Sequence, residues 1–195
     1  MNNKYQEFWS WFEKNNKQIA NAAPEDNILV ELDGKICELG DFAWELGSSE
    51  ANFNALTISP GGDRSLLATT KNIISQAPNL KDWKFYDSKQ IKEWNYKFIV
   101  NLNQKKINVD IQKWEYVLLA YGNSLFDIVV KPTPYLAVLD DDILGIAEMV
   151  LDSLIGEGNR LEKIENIYIE KYFNEDYANK ATNILKLRNH LNEVS

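Results

Sequence analysis

The stretch from Phe53 to Asp87 constrains the fold of this chain more than any other part of the sequence. Leu56 and Ile58 alternate with hydroxyl residues, which is the period-two pattern of a strand with one buried face. The Pro-Gly-Gly run at positions 60–62 then ends the strand, because proline lacks a ladder donor and glycine permits positive φ. Asp63 is the predicted helix N-cap, since its carboxylate can accept from the free amides of a first turn.

The residues after this cap have the spacing of an amphipathic helix. Its predicted apolar face carries Leu66, Leu67, Thr70, Ile73, Ile74 and Ala77. Pro78 is expected to end the helix, because the residue before a proline is pushed out of the α region. Trp83 and Phe85 supply large apolar area where the chain returns to the sheet. The stretch therefore predicts strand, tight loop, helix and second strand.

A glycine-bearing loop between a strand and a helix can also bind an anion. The loop Ser59–Ser65 lacks the lysine of a Walker loop and the three-glycine spacing of a dinucleotide fingerprint. The carboxylate of Asp63 would also repel a phosphate. A turn with a capping residue is therefore the preferred interpretation of this loop.

The composition indicates a globular chain that can bury a sizeable core, and we expect one domain spanning residues 1–195. No apolar run has the length needed to cross a bilayer, and the first residues do not have the pattern of a signal peptide. Cys37 is the only cysteine, which excludes an internal disulfide and is typical of a reducing cytoplasm.

The net charge of −8, from 21 basic and 29 acidic side chains, bears on the class of partner. Binding to nucleic acid depends on neutralising phosphates, so an acidic chain disfavours DNA and RNA. An anionic membrane surface is disfavoured for the same reason. The negative net charge is compatible with a basic protein partner.

Aromatic residues at helical spacing predict a first helix from about Lys4 to Asn21. Its apolar stripe consists of Tyr5, Phe8, Trp9, Phe12 and Ile19. Trp11 lies about 100° away from Phe12 on a helix of 3.6 residues per turn. We therefore expect Trp11 to be more exposed than Trp9 and to be a candidate anchor in an interface, where tryptophan is enriched.

Two structures compete for the segment Glu25–Leu39. Asp33-Gly34 between two apolar runs is a strong hairpin signal. The apolar residues from Ile28 to Leu39 also fit a helix closed by Gly40. An interior glycine costs a helix only about 1 kcal/mol relative to alanine, so we predict the helix, with Cys37 as a small buried side chain.

The remaining patterns complete an α+β fold. Phe42, Trp44 and Leu46 predict a strand that enters a turn at Gly47-Ser48-Ser49 and pairs with the strand at 53–59. A strand is expected at 84–87, followed by a meander over 96–131 with strands at 106–111, 114–121 and 125–131 and a turn at Gly122-Asn123. The remaining expected elements are a helix from Asp140 ended by Gly156 and Gly158, a strand at 163–169 and a last helix over 175–192. We predict a single, mainly antiparallel sheet of about six or seven strands, with helices packed on one face.

The sequence offers few residues for catalysis. His190, the only histidine, falls in the last turn of the predicted last helix, where a cation is favourable without any function. One histidine and one cysteine cannot form a tetrahedral zinc site, and no motif indicates a Cys–His or Ser–His–Asp arrangement. Three arginines are too few to indicate an anion clamp. We expect no cofactor.

Carboxylates on one face of the helix after Asp140 are the remaining catalytic candidate. Asp141, Glu148 and Asp152 recur at helical spacing together with Gly145. They could bind a divalent cation or pair for proton transfer. A solvated helix face explains the same residues, and we prefer it, because charged faces are usually solvated.

Several short segments resemble a group of uncharacterised bacterial proteins. These segments are FWSWF near the N-terminus, then FAWEL, LTISPGG, APNLKDW and LIGEG, within residues 8–157. The group opens with a similar aromatic-rich helix and carries an AP…W segment after a strand–helix pair. The resemblance implies a bacterial cytoplasmic source and a helix at Glu25–Leu39, and it implies no catalytic residue.

Two function hypotheses follow. The first is a non-enzymatic binding or accessory protein, with an immunity-type protein that masks another protein as one form. This hypothesis is supported by the absence of a catalytic motif in the sequence, the acidic net charge and the number of aromatic residues. Its candidate binding residues are Trp11, Asp141, Glu148 and Asp152. The second is a hydrolase or metal-dependent enzyme that uses Asp141, Glu148 and Asp152.

Overall fold

The α+β class is confirmed in the computed structural model, which describes residues 3–48, 53–92, 94–102, 104–121 and 125–194. These ranges contain seven α-helices and nine strands. The strands form three sheets of three, two and four strands, so the prediction of one sheet with six or seven strands is wrong. Four of the six strand pairings are antiparallel, as expected.

The chain divides into two compact units, Met1–Lys89 and Gln90–Ser195. They are called here the N-terminal and the C-terminal unit, and each is described by itself. The prediction of one domain over residues 1–195 means that the two units fold together, and it stays a prediction.

The N-terminal unit combines three helices with a three-stranded sheet. Its elements are α1 (Asn3–Ala20), α2 (Asn27–Leu39), β1 (Ala43–Ser48), β2 (Asn54–Ser59), a 3₁₀ turn (Arg64–Leu66), α3 (Leu67–Ile74) and β3 (Trp83–Tyr86). β2 is central, antiparallel to β1 and parallel to β3. The predicted strand–loop–helix–strand stretch and its hairpin with β1 are therefore confirmed. Gly47 and Ser48 continue β1 instead of starting the turn, and Ser49 lies outside the described residues.

One face of this sheet and the three helices share a single apolar cluster. Register places Trp44 beside Ile58, and it places Leu56 between Leu46 and Phe85. The five residues of the α1 stripe, Tyr5, Phe8, Trp9, Phe12 and Ile19, are all buried in this cluster. α3 joins it through Ile73, whose carbonyl accepts from the Trp9 indole at 2.8 Å. The predicted phase of α1 is confirmed.

β2 departs from the expectation of one buried face. Thr57 and Ser59 are buried together with Leu56 and Ile58, so both faces of the strand are covered. The period-two pattern misled because hydroxyl side chains can be buried when they find a partner. The Ser59 Oγ accepts from the Gly61 amide at 3.0 Å, which keeps that hydroxyl bonded inside the turn.

The segment 25–39 forms a helix, as predicted, and not a hairpin. Ile28, Leu32, Ile36 and Leu39 are its buried residues, at helical spacing. Gly40 ends the helix with φ 156°, where a Cβ would lie 2.7 Å from the Phe42 ring. Cys37 is exposed, contrary to the prediction of a buried side chain, because it follows Ile36 by one residue and so points about 100° away from the core.

Replacing Gly34 with alanine should stabilise the protein by about 0.5–1 kcal/mol. Gly34 lies inside α2, and an added Cβ would meet no atom within 4 Å. The measurement is the urea midpoint of the variant against wild type. A type I′ hairpin would need positive φ at this glycine, so a loss of stability would contradict the helix.

The C-terminal unit is built around a four-stranded sheet. Its elements are β4 (Lys97–Leu102), β5 (Lys105–Asp110), β6 (Glu115–Tyr121), β7 (Leu125–Lys131), α4 (Asp140–Ile155), α5 (Glu157–Lys163), β8 (Ile164–Ile169), α6 (Glu175–Ala178), β9 (Thr182–Asn183), a 3₁₀ turn (Ile184–Lys186) and α7 (Leu187–Glu193). The large sheet has the order β8-β7-β6-β9, and β4 and β5 form the two-stranded sheet. The meander over 96–131 is thus divided between two sheets. The predicted turn at Gly122-Asn123 lies outside the described residues.

The core of this unit lies between α4 and one face of the large sheet. The apolar face of α4 packs with Tyr116, Ile128 and Val130 of the sheet. Leu144 of this face is partly exposed, and its buried members are Ile143, Ala147, Val150, Leu151, Leu154 and Ile155. Gly156 ends α4 with φ 81°. Gly158 lies inside α5 and does not contribute to the end of α4, which corrects that prediction.

The predicted last helix over 175–192 is broken into α6, β9, a 3₁₀ turn and α7. Two asparagines start new turns: Asn174 accepts from the Tyr177 amide and Asn183 from the Leu185 amide. Between them β9 pairs with β6, and the Ile184 amide donates to the Trp114 carbonyl at 2.9 Å. Pairing with a distant strand therefore replaced the local helix.

Candidate functional site

The N-terminal unit carries an open groove of about 720 Å³ between the end of α1, α2 and β1. It is called here the α1–α2–β1 groove. Most of its lining is apolar, and its main side chains are Ile19, Leu29, Val30, Trp44, Leu46 and Trp83. The volume falls within the range of about 300–1,000 Å³ that is typical of ligand sites.

Trp44 has a fixed orientation in this groove. Its indole N–H donates to the Asp33 carboxylate at 2.8 Å, which joins β1 to α2. Trp44 is only partly buried, and it packs against the apolar cluster of the N-terminal unit. Trp83 is 6% exposed and does belong to the core. The alternation in β1 identified the correct face but could not show that α2 leaves part of it open.

The segment that forms most of the groove has an acidic composition. Residues 3–48 carry four lysines and nine aspartates or glutamates. Asp33 is the charged residue of the described lining, and no lysine or arginine is part of it. On α2, Lys35 forms a salt bridge with Glu38 at 2.9 Å, so the charge of one of the four lysines is already neutralised. A positive group on a ligand would therefore be favoured beside this groove.

Trp11 is partly exposed, whereas Trp9 is 4% exposed, so the expected difference between them is confirmed. The ring centroids of Trp11 and Phe8 are 6.4 Å apart. Trp11 does not line the α1–α2–β1 groove. Its role as an interface anchor stays a prediction.

The acidic face of α4 is only partly solvated. Asp141 is exposed and Glu148 is partly exposed, but Asp152 is 5% exposed. The Asp152 carboxylate accepts from Arg160 Nε at 2.5 Å, and Arg160 Nη1 lies 3.6 Å from Glu148. The solvated-face interpretation is therefore wrong for Asp152. The structure brings Glu148 and Asp152 together around an arginine, without Asp141.

This arrangement has the character of a structural ion pair. Arg160 is itself 5% exposed and occupies the place beside Asp152 that a bound cation would need. Within the described ranges, no group of three or more histidine, cysteine, aspartate or glutamate residues could hold a metal ion. Glu148 and Asp152 instead share Arg160 as their partner.

His190 has a packing partner that the sequence did not indicate. Its Nδ1 and the Tyr116 hydroxyl are hydrogen-bonded at 2.7 Å, which ties α7 to β6. Burial, with a smaller contribution from the Glu193 carboxylate, raises the pKa of Tyr116 to about 12. The phenol therefore stays protonated near neutral pH.

Asp127 is a buried carboxylate that the sequence analysis missed. It accepts from the Tyr121 hydroxyl and from the backbone and side-chain N–H groups of Asn166, the last two at 3.0 and 2.9 Å. The hydrogen bond to Asp127 raises the pKa of Tyr121 to about 12. These bonds lie at the irregularity in the β7–β8 register. An aspartate inside the otherwise apolar strand LFDIVVK was the sequence signal that could have found it, and its buried carboxylate has the hydrogen-bond partners that such a group requires.

The loop before α3 is a capped turn, as predicted. The Asp63 carboxylate accepts from the Ser65 amide at 2.8 Å. Hydrogen bonds from the Ser65 side chain and backbone lower the pKa of Asp63. A carboxylate therefore occupies the turn where an anion would have to bind.

Comparison with known protein families, with curated proteins and with solved structures finds no match to this chain. The resemblance carried by FWSWF and the AP…W segment therefore stays a prediction. Among the described residues, no helix combines the length and apolar character needed to cross a membrane.

Proposed function

We propose that this chain is a non-enzymatic binding protein whose α1–α2–β1 groove receives a segment of a partner protein. The observation that carries the proposal is the groove itself, which is open and largely apolar and has Asp33 as the charged residue of its described lining. The segment that fits it has apolar side chains flanked by lysine or arginine.

Apolar side chains at the rim support an apolar occupant. Val30 is 70% exposed although it belongs to an amphipathic helix. Beside it, the Trp44 ring is held by Asp33 and offers a rigid flat surface. Aromatic residues fixed before binding lose little conformational entropy on association, and they are enriched among binding hot spots.

The polar groups of the groove favour binding over catalysis. Asp33 is the titratable residue of the described lining, and it is already bonded to Trp44. Besides Asp33, the described lining carries one hydroxyl side chain, that of Ser48, and no histidine, cysteine, lysine or second carboxylate. General acid–base chemistry needs such groups within hydrogen-bond reach of the substrate.

The charge of the chain supports a basic partner over nucleic acid. The net charge is −8, and the 3–48 segment that forms most of the groove has more than twice as many acidic as basic residues. We place the protein in a bacterial cytoplasm, as its single cysteine and the resemblance suggest. An accessory protein of the immunity type, which masks a basic protein, fits this combination.

A random-peptide display selection on the purified full chain tests the proposal. We expect enriched peptides to combine apolar residues with flanking lysine or arginine, and to shift NMR signals of α2 and β1. Val30→Lys should weaken their binding at least tenfold, because it places a cation in the groove, where it repels the basic residues of the peptide.

Ile99→Lys is the matched control, since Ile99 is an exposed aliphatic residue of the other unit, 56% exposed. Its peptide affinity should remain within about twofold of wild type. The proposal is wrong if no peptide is enriched, if the enriched peptides lack basic residues, or if Val30→Lys binds them as wild type does.

A further inference from the structure

A small hollow of about 150 Å³ lies between α5 and α7 in the C-terminal unit. It is called here the α5–α7 hollow. Its polar lining consists of Asn159 and Lys163 from α5 and of Arg188 and Asn192 from α7. The remaining lining is aliphatic, from Ile91, Ile155 and Leu191.

Both helices present the same pair of groups to this hollow. Asn159 and Lys163 are four residues apart, and so are Arg188 and Asn192. Side chains four apart lie on one face of a helix, so each helix offers one cation and one amide toward the same space. The described lining contains no carboxylate, although the chain carries 29 acidic side chains.

The donors on α7 are not used within the described part of the chain. There, the side chains of Arg188 and Asn192 have no hydrogen-bond or ion-pair partner. On α5, the Asn159 amide donates one hydrogen bond to the Ile155 carbonyl at 2.8 Å and keeps a second N–H. The α7 donors of the hollow thus have no acceptor among the described residues, whereas Lys163 already takes part in an interaction.

We infer that the α5–α7 hollow binds a small oxyanion, a carboxylate or phosphate group. A guanidinium offers a planar fork of N–H donors that matches two oxygens of such a group, and an ammonium adds charge. The volume equals the space of about five water molecules at ~30 Å³ each, which admits a group of a few heavy atoms. A polyanion would be repelled by the net negative charge of the chain, so a small anion is the better match.

NMR titration of the full chain with inorganic phosphate and with acetate, each against sodium chloride at equal ionic strength, tests the site. We expect saturable shifts of the Asn159 and Asn192 side-chain amides and of the Arg188 Nε–H with at least one of the two anions. Tighter binding of phosphate identifies a phosphate group as the natural ligand, and tighter binding of acetate identifies a carboxylate.

Arg188→Gln should weaken this binding at least tenfold, and Lys163→Gln should weaken it severalfold. Arg188 is exposed, so its replacement should leave the fold intact. Lys186→Gln is the matched control, because Lys186 is an exposed cation two residues away that does not line the hollow. The inference is overturned if chloride gives the same shifts, if neither anion saturates, or if Arg188→Gln binds as Lys186→Gln does.

Discussion

Replacing Asp152 with alanine is expected to lower the free energy of unfolding by about 3–5 kcal/mol. Asp152 and Arg160 are each 5% exposed and are bonded at 2.5 Å. Removing the carboxylate leaves a guanidinium buried without its closest partner, and an uncompensated buried charge is more costly than the intact pair is favourable. The measurement is urea unfolding followed by circular dichroism.

Glu148→Ala is the matched control for this change. Glu148 lies one turn earlier on α4, and its carboxylate is 3.6 Å from the same arginine, but its side chain is 42% exposed. Exposed ion pairs contribute about 0–1 kcal/mol, so this variant should unfold close to wild type. A solvated acidic face would make both variants equally mild. Similar midpoints for the two would therefore contradict the buried ion pair.

Trp83→Ala should destabilise the protein by about 3–5 kcal/mol, the usual cost of removing a large core aromatic. Trp83 starts β3 and packs edge-on against Phe12 with ring centroids 4.9 Å apart, and it stacks with Phe85. No smaller side chain can fill that space, so the variant leaves a cavity where α1 meets the sheet. Chemical unfolding monitored by circular dichroism measures the loss.

Trp44→Ala provides the comparison, since Trp44 lies on the same sheet face but is half-buried. We expect a loss of roughly 1–2 kcal/mol from reduced apolar burial and the broken hydrogen bond to Asp33. The informative quantity is the ratio of the two losses in the free energy of unfolding. A loss at Trp44 as large as that at Trp83 would mean that the groove is closed in solution.

Local sequence patterns predicted several elements of both units correctly and failed for one of them. α1, α2 and α4 follow from apolar residues at helical spacing, and β7 follows from the run LFDIVVK. The last predicted helix failed because its residues 182–183 pair with β6, a contact across more than 60 residues. Local propensity is a weak guide wherever a distant strand offers hydrogen bonds instead.

The candidate sites show the same division. The sequence identified Trp11, Trp44, Glu148 and Asp152 as residues of interest, but not what surrounds them. Arg160 was one of three arginines without a motif, and it proved to be the partner of Asp152. Arg188 appeared isolated until the fold placed α5 beside α7.

The sequence by itself determined the α+β class, the helix phase of α1, the choice of helix for α2 and the capped turn at Asp63. Each depends on contacts within a few residues along the chain, which periodicity and capping residues encode directly. Only the tertiary structure decided the division into three sheets, the burial of Asp152, the opening beside Trp44 and the cations of the α5–α7 hollow. These depend on which distant segments meet, and pairing across tens of residues leaves no periodic trace in a single sequence.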